Sequence, residues 1–127
     1  MSATKIHRLG DLQLQIMKVL WEQAEATVTE VHQALSGRDL AYTTVATMLR
    51  KMENRGLVRH RQEGRSFVYR AAVKADAVST RMTSHVLDRL FAGSVTDLVH
   101  HLLTTREVSR EELTQLEKLI AEKKRSR

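Results

Sequence analysis

Apolar residues recur at helical spacing in six separate stretches of this chain and at strand spacing in one, and no proline interrupts any of them. A stripe repeating every three to four residues buries one side of a helix, whereas strict alternation buries one side of a strand. The pattern therefore predicts a mainly α fold with a small β-hairpin. Leu9, Leu12, Ile16, Val19 and Leu20 predict a first helix over residues 11–22. Trp21 continues that stripe and is expected as a core or interdomain anchor. After a polar break at 24–26, Thr27 with Glu30 three residues on is a capping-box pattern. It opens a short second helix with Val28, Val31 and Leu35 inward and Gly37 as its stop. A third helix is predicted over 42–54, with Val45, Leu49, Met52 and partly Met48 inward and Gly56 as its left-handed C-terminal residue.

Residues 57–61 and 67–71 read as two strands of a hairpin with Gly64 and Arg65 at its tip. Further on, Val78, Met82, Val86 and Leu90 stripe a helix over 74–91 that Gly93 ends, and a fifth helix starts at Val95. Ser109 with Glu112 caps a sixth, which bears Leu113, Leu116, Leu119 and Ile120. Three short helices make a thin core, so this region is expected to complete it against another copy of itself. Val86, Leu90, Leu98, Leu102, Leu116 and Ile120 are the expected dimerisation residues. The expected division is 1–72 for a winged helix-turn-helix and 73–127 for a three-helix dimerisation region.

Charge points to a partner. The formal net charge is +6, and residues 50–70 alone hold seven cations against two carboxylates, whereas residues 1–49 hold four against five. Residues 71–127 are nearly balanced, with a basic end at Lys123, Lys124, Arg125 and Arg127. The concentrated excess falls on the third helix and the hairpin. Thr43, Ala46, Thr47, Arg50 and Lys51 lie on one outer helix face, where cations suit phosphates and small hydroxyl and methyl groups suit base edges. Aromatic residues are only 4% of the chain, too few for rows of stacked single-stranded bases. The order helix, helix, helix, basic hairpin is that of a winged helix-turn-helix on duplex DNA. A winged helix used for protein contacts has less reason to gather this charge.

Other chemistries lack their residues. Without cysteine there is no disulfide framework, thiolate zinc site or thiol catalysis, and a reducing cytoplasm is the expected location. No stretch resembles a signal peptide or a membrane span. No nucleophile set, phosphate-cradling glycine loop or metal motif marks an enzyme, and no cofactor is implied. The histidines His7, His32, His60, His85, His100 and His101 form no cluster in sequence, and the adjacent His100 and His101 point to different helix faces.

LGDLQLQIMKVLW at 9–21, AYTTVATMLRKMENRGLV at 41–58, RQEGRSFVYRA at 61–71 and LFAGSVTDLVHHLL at 90–103 resemble the penicillinase and methicillin-resistance repressor family (BlaI/MecI type) over nearly the whole chain. The resemblance implies a homodimeric transcriptional repressor on a palindromic operator, typically with TACA/TGTA half-sites. Thr43, Thr44, Thr47, Arg50 and Lys51 then sit at or beside the groove-facing positions, and Arg65 at the wing tip. It also implies control of a β-lactam-resistance or related operon and release by a membrane-bound sensor protease. The family's Asn-Phe cleavage pair aligns with His101-Leu102 here, an imidazole and an aliphatic side chain, and Leu102 is expected to face the core. Copper-responsive relatives use a C-terminal cysteine motif that this chain lacks. The alternative is a winged-helix regulator released by a small-molecule ligand or metal.

Overall fold

The computed structural model describes residues 9–126, so His7 and Arg127 lie outside the described residues. Along the chain come α1 (Asp11–Gln23), β1 (Glu25–Thr27), α2 (Val28–Ala34), α3 (Tyr42–Asn54), β2 (Val58–Glu63), β3 (Ser66–Ala71), α4 (Ala75–Phe91), α5 (Val95–Thr105) and α6 (Arg110–Arg125). Contacts divide the chain inside α4, one compact unit ending at His85 and the other beginning at Val86.

In the first unit the helices form where their apolar stripes were expected. Ile16, Met17, Leu20, Val31, Val45, Leu49 and Met52 are almost wholly buried together, with Leu57 just before β2, Val58 from β2 and Val78 from α4. Trp21 anchors this unit: its indole Nε1–H donates to the Val73 carbonyl at 2.9 Å, tying the chain after β3 to α1. The Thr27 hydroxyl accepts from the Glu30 amide, and the Glu30 carboxylate accepts from the Thr27 amide, so both halves of the capping box are present on α2. That helix ends at Ala34, three residues before Gly37, where successive tight turns carry the chain to α3.

The wing is larger than the sequence predicts. The polar break after α1 is a strand, so the hairpin belongs to a three-stranded antiparallel sheet in the order β1-β3-β2. Ala24 has a φ of 70°, a left-handed turn that swings the chain from α1 into β1. Register runs from Glu25 opposite Arg70 to Thr27 opposite Val68, and from Val58 opposite Ala71 to Glu63 opposite Ser66.

In the second unit, Ser94 caps α5 by accepting from the Asp97 amide, and Ser109 caps α6 by accepting from the Glu112 amide. Neither α5 nor α6 has a buried residue. Leu102 is therefore 42% exposed and does not face a core within this unit, because its stripe has too little apolar surface opposite it.

Candidate nucleic-acid interface

The candidate surface is built on α3. Burial of Val45, Leu49 and Met52 fixes which side of the helix faces in. Thr43, Thr44, Thr47, Arg50 and Lys51 are consequently all exposed on the outer side. Four of them, Thr43, Thr44, Thr47 and Lys51, line one shallow concavity of about 270 Å³ together with Met48. The entry to α3 is pinned by His32, whose Nε2–H donates to the Leu40 carbonyl at 2.8 Å and whose ring lies edge-on to Tyr42 at 6.0 Å.

Arg65 does not join that concavity. It sits in the turn between β2 and β3 and lines a separate cleft of about 220 Å³ with Thr27, Val28, Thr29, Tyr42, Ser66 and Phe67. The site thus has two parts, a helix face of hydroxyls and cations, and a wing-side cleft carrying one guanidinium.

Within the basic segment the cations differ in what they do. Arg61 is committed internally: its guanidinium donates to Glu25 at 2.7 Å and to Glu63 at 2.9 Å, bracing β2 across to β1. The hydrogen bond and charge of Arg61 hold the Glu25 carboxyl below its usual range, and the two carboxylates raise the Arg61 pKa. The Arg55 guanidinium donates to Gln13 at 3.0 Å. Arg59 and Arg70 are exposed and stand directly opposite each other in the β2–β3 register, with Glu25 facing Arg70 from β1 on the other side. Like charges in that position oppose strand pairing, which is expected where a surface serves an anionic ligand more than its own fold.

A second tie joins wing to helix. His60 Nδ1–H donates to the Glu53 carboxylate on α3 at 2.7 Å, while the imidazole stacks on Phe67 at 4.2 Å. Burial raises the Tyr69 pKa, with the nearby Glu53 charge adding to the effect. These ties, the Arg61 clamp and the place of Met48 in the concavity were not foreseen, since each joins residues that no periodicity connects.

The expected dimerisation and cleavage residues lie on α4, α5 and α6. Val86, Leu90, Leu102 and Ile120 are exposed, Leu90 by 72%, whereas Leu98 and Leu116 are half-buried. The His101 carbonyl accepts from the Thr104 and Thr105 hydroxyls at 3.2 and 2.7 Å, so the His101–Leu102 bond is held in helix by more than backbone.

Residues 9–122 match the family model described as penicillinase repressor. The chain is 30% identical over 122 residues to the penicillinase repressor of Bacillus licheniformis, covering 94% of each. It is 39% identical over 95 residues to the transcriptional regulator BlaI of Mycobacterium tuberculosis, covering 73% of this chain and 60% of that one. Among solved structures, the DNA-binding domain of the repressor BlaI superposes with a TM-score of 0.51 at 32% identity, over 57% of this chain and 90% of that domain. The winged fold and the extent of these matches lead to one conclusion: the chain belongs to the penicillinase repressor family, and is a BlaI-type transcriptional repressor, a DNA-binding regulator and not an enzyme.

Proposed function

We propose that this repressor works as a cytoplasmic homodimer on palindromic operators, with residues 1–72 reading DNA and residues 73–127 holding the dimer. The observation that carries the proposal is the exposed face of Thr43, Thr44, Thr47, Arg50 and Lys51 on a helix whose other side is locked into the core. Lys51, Arg50 and the wing's Arg65 supply phosphate affinity, and the threonines approach base edges. Val86, Leu90, Leu98, Leu102, Leu116 and Ile120 form the dimer contact, whose support is the run of apolar side chains left open along α5 and α6. Pairing two half-sites multiplies affinity by about 10² to 10⁴ through effective concentration.

The controlled genes are proposed to be a β-lactam-resistance or related operon, and release to follow cutting at or near His101–Leu102 by a membrane-bound sensor protease. Severing α5 would end avidity without touching α3. Because the bond lies inside a helix with its carbonyl bonded by two threonines, local opening must precede the cut. A ligand-released mechanism has one observation in its favour, an apolar cleft of about 470 Å³ between Val95, Val99, Leu103 and Ile120.

Selection of bound duplexes from a random pool tests the central claim: a palindromic consensus is expected, and an unstructured pool would refute it. Leu90→Asp provides the dimer test. Since Leu90 is 72% exposed in the single chain, the carboxylate leaves the protomer's fold intact yet cannot enter an apolar contact. Sedimentation should show a dimer becoming a monomer. Exposure of cells to a β-lactam, with the 14.5 kDa chain followed by mass spectrometry, decides between release routes, because a rising transcript beside an intact chain excludes proteolysis.

A further inference from the structure

We propose that Met48 determines part of the sequence specificity by contacting the C5-methyl of a thymine in the major groove, and that Gln13 positions it there. The inference rests on the operator-binding reading above. Periodicity assigns Met48 partly to the core, and it does pack against the buried cluster of the first unit. It also lines the concavity of Thr43, Thr44, Thr47 and Lys51. Among those five it alone carries neither hydroxyl nor charge. Of the groups that bases present in the major groove, the thymine methyl is the apolar one, so an apolar side chain on this face selects for it.

Methionine by itself is a poor reader, because three rotatable bonds let it adapt to whatever it meets. Here its sulfur is held. The Gln13 Nε2–H donates to Met48 Sδ at 3.5 Å. The Oε1 of the same amide accepts from the Arg55 guanidinium at 3.0 Å and from the Gly10 amide at 3.2 Å. Gln13 is thus fixed at its oxygen by the start of α1 and the end of α3, and presents its nitrogen to the sulfur between them. Glutamate at this position keeps both acceptances and loses the donation, so Gln13→Glu separates positioning of Met48 from support of the fold.

The experiment takes a duplex selected by the full chain and replaces each thymine in turn by deoxyuridine, which removes the methyl alone. At one thymine in each half-site the wild-type chain should lose about fourfold in affinity, the effect of one buried methyl group. Met48→Ala should erase that penalty there and nowhere else, Met48→Leu should keep part of it, and Gln13→Glu should reduce it. The readout is a ratio of two duplexes within one variant, so general changes in charge or stability cancel. If no deoxyuridine substitution is felt, or if every penalty survives in Met48→Ala, the assignment is overturned while operator binding stands. A chain that selects no duplex removes both readings together.

Discussion

Replacing Arg65 and Arg61 in turn should separate a cation that binds from one that braces. Arg65 lies exposed in the wing turn, whereas Arg61 is already paired with Glu25 at 2.7 Å and Glu63 at 2.9 Å. Each neutralised phosphate contributes about 0.9 to the slope of log affinity against log salt. Two protomers each losing one contact in Arg65→Ala should therefore lower the slope by about 1.8. Between 50 and 200 mM salt this is roughly a twelvefold difference in how much affinity the variant loses. The matched control is Arg61→Met combined with Glu25→Gln, which removes the brace while leaving net charge unchanged. Its slope should equal that of the wild type, with any loss of affinity being the same at both salts because the wing is less well held. Fluorescence anisotropy with a labelled duplex, titrated across the salt range, measures both. Equal slope changes in the two proteins would refute the division of labour, as would an unchanged slope in Arg65→Ala.

The packing and the charges set four further outcomes. Leu49→Ala, at a fully buried site, should cost about 2 to 5 kcal/mol in urea unfolding of the winged unit. Arg59→Thr should stabilise the sheet by about 0.2 to 1 kcal/mol, by relieving the like-charge pair with Arg70, and at the same time weaken DNA binding; a variant that loses both would contradict this account. Because the Glu25 pKa is depressed, its contribution is complete above the ordinary value of 4.5 and is lost as pH falls through the lower folded value, so Glu25→Gln should flatten that acid limb of the stability profile. The Tyr69 pKa is raised instead, so its contribution is complete below 10.0 and declines as pH rises from there through the folded value.

Much of the fold was legible because its signals are local. The third helix spans Tyr42–Asn54 as its apolar stripe predicts, and Gly56 has the left-handed φ of 81° that ends it. Both halves of the Thr27–Glu30 box could be read from spacing alone. By contrast β1 was hidden. Three residues are too few to show alternation, and its partner Arg70 lies far along the chain from Glu25. The outer end of β2, Gln62 and Glu63, was missed because it is exposed and carries no apolar pattern. The outward exposure of the threonines and cations of α3 was legible from helix geometry. The roles of Arg61 and Met48 were not, since an ion pair to β1 and a sulfur held by α1 depend on how distant segments meet.

The absence of any buried residue in α5 and α6 bears on how long the protein lasts in a cell. Helices with no interior of their own open readily when alone, and open helices are what housekeeping proteases and chaperones engage. If self-association closes these helices, survival is tied to abundance: chains made in excess of a partner are removed and paired ones persist. Turnover would then be steepest when the repressor is scarce. A falling population would decay faster than dilution alone allows, which sharpens derepression after synthesis stops, by whatever route release begins.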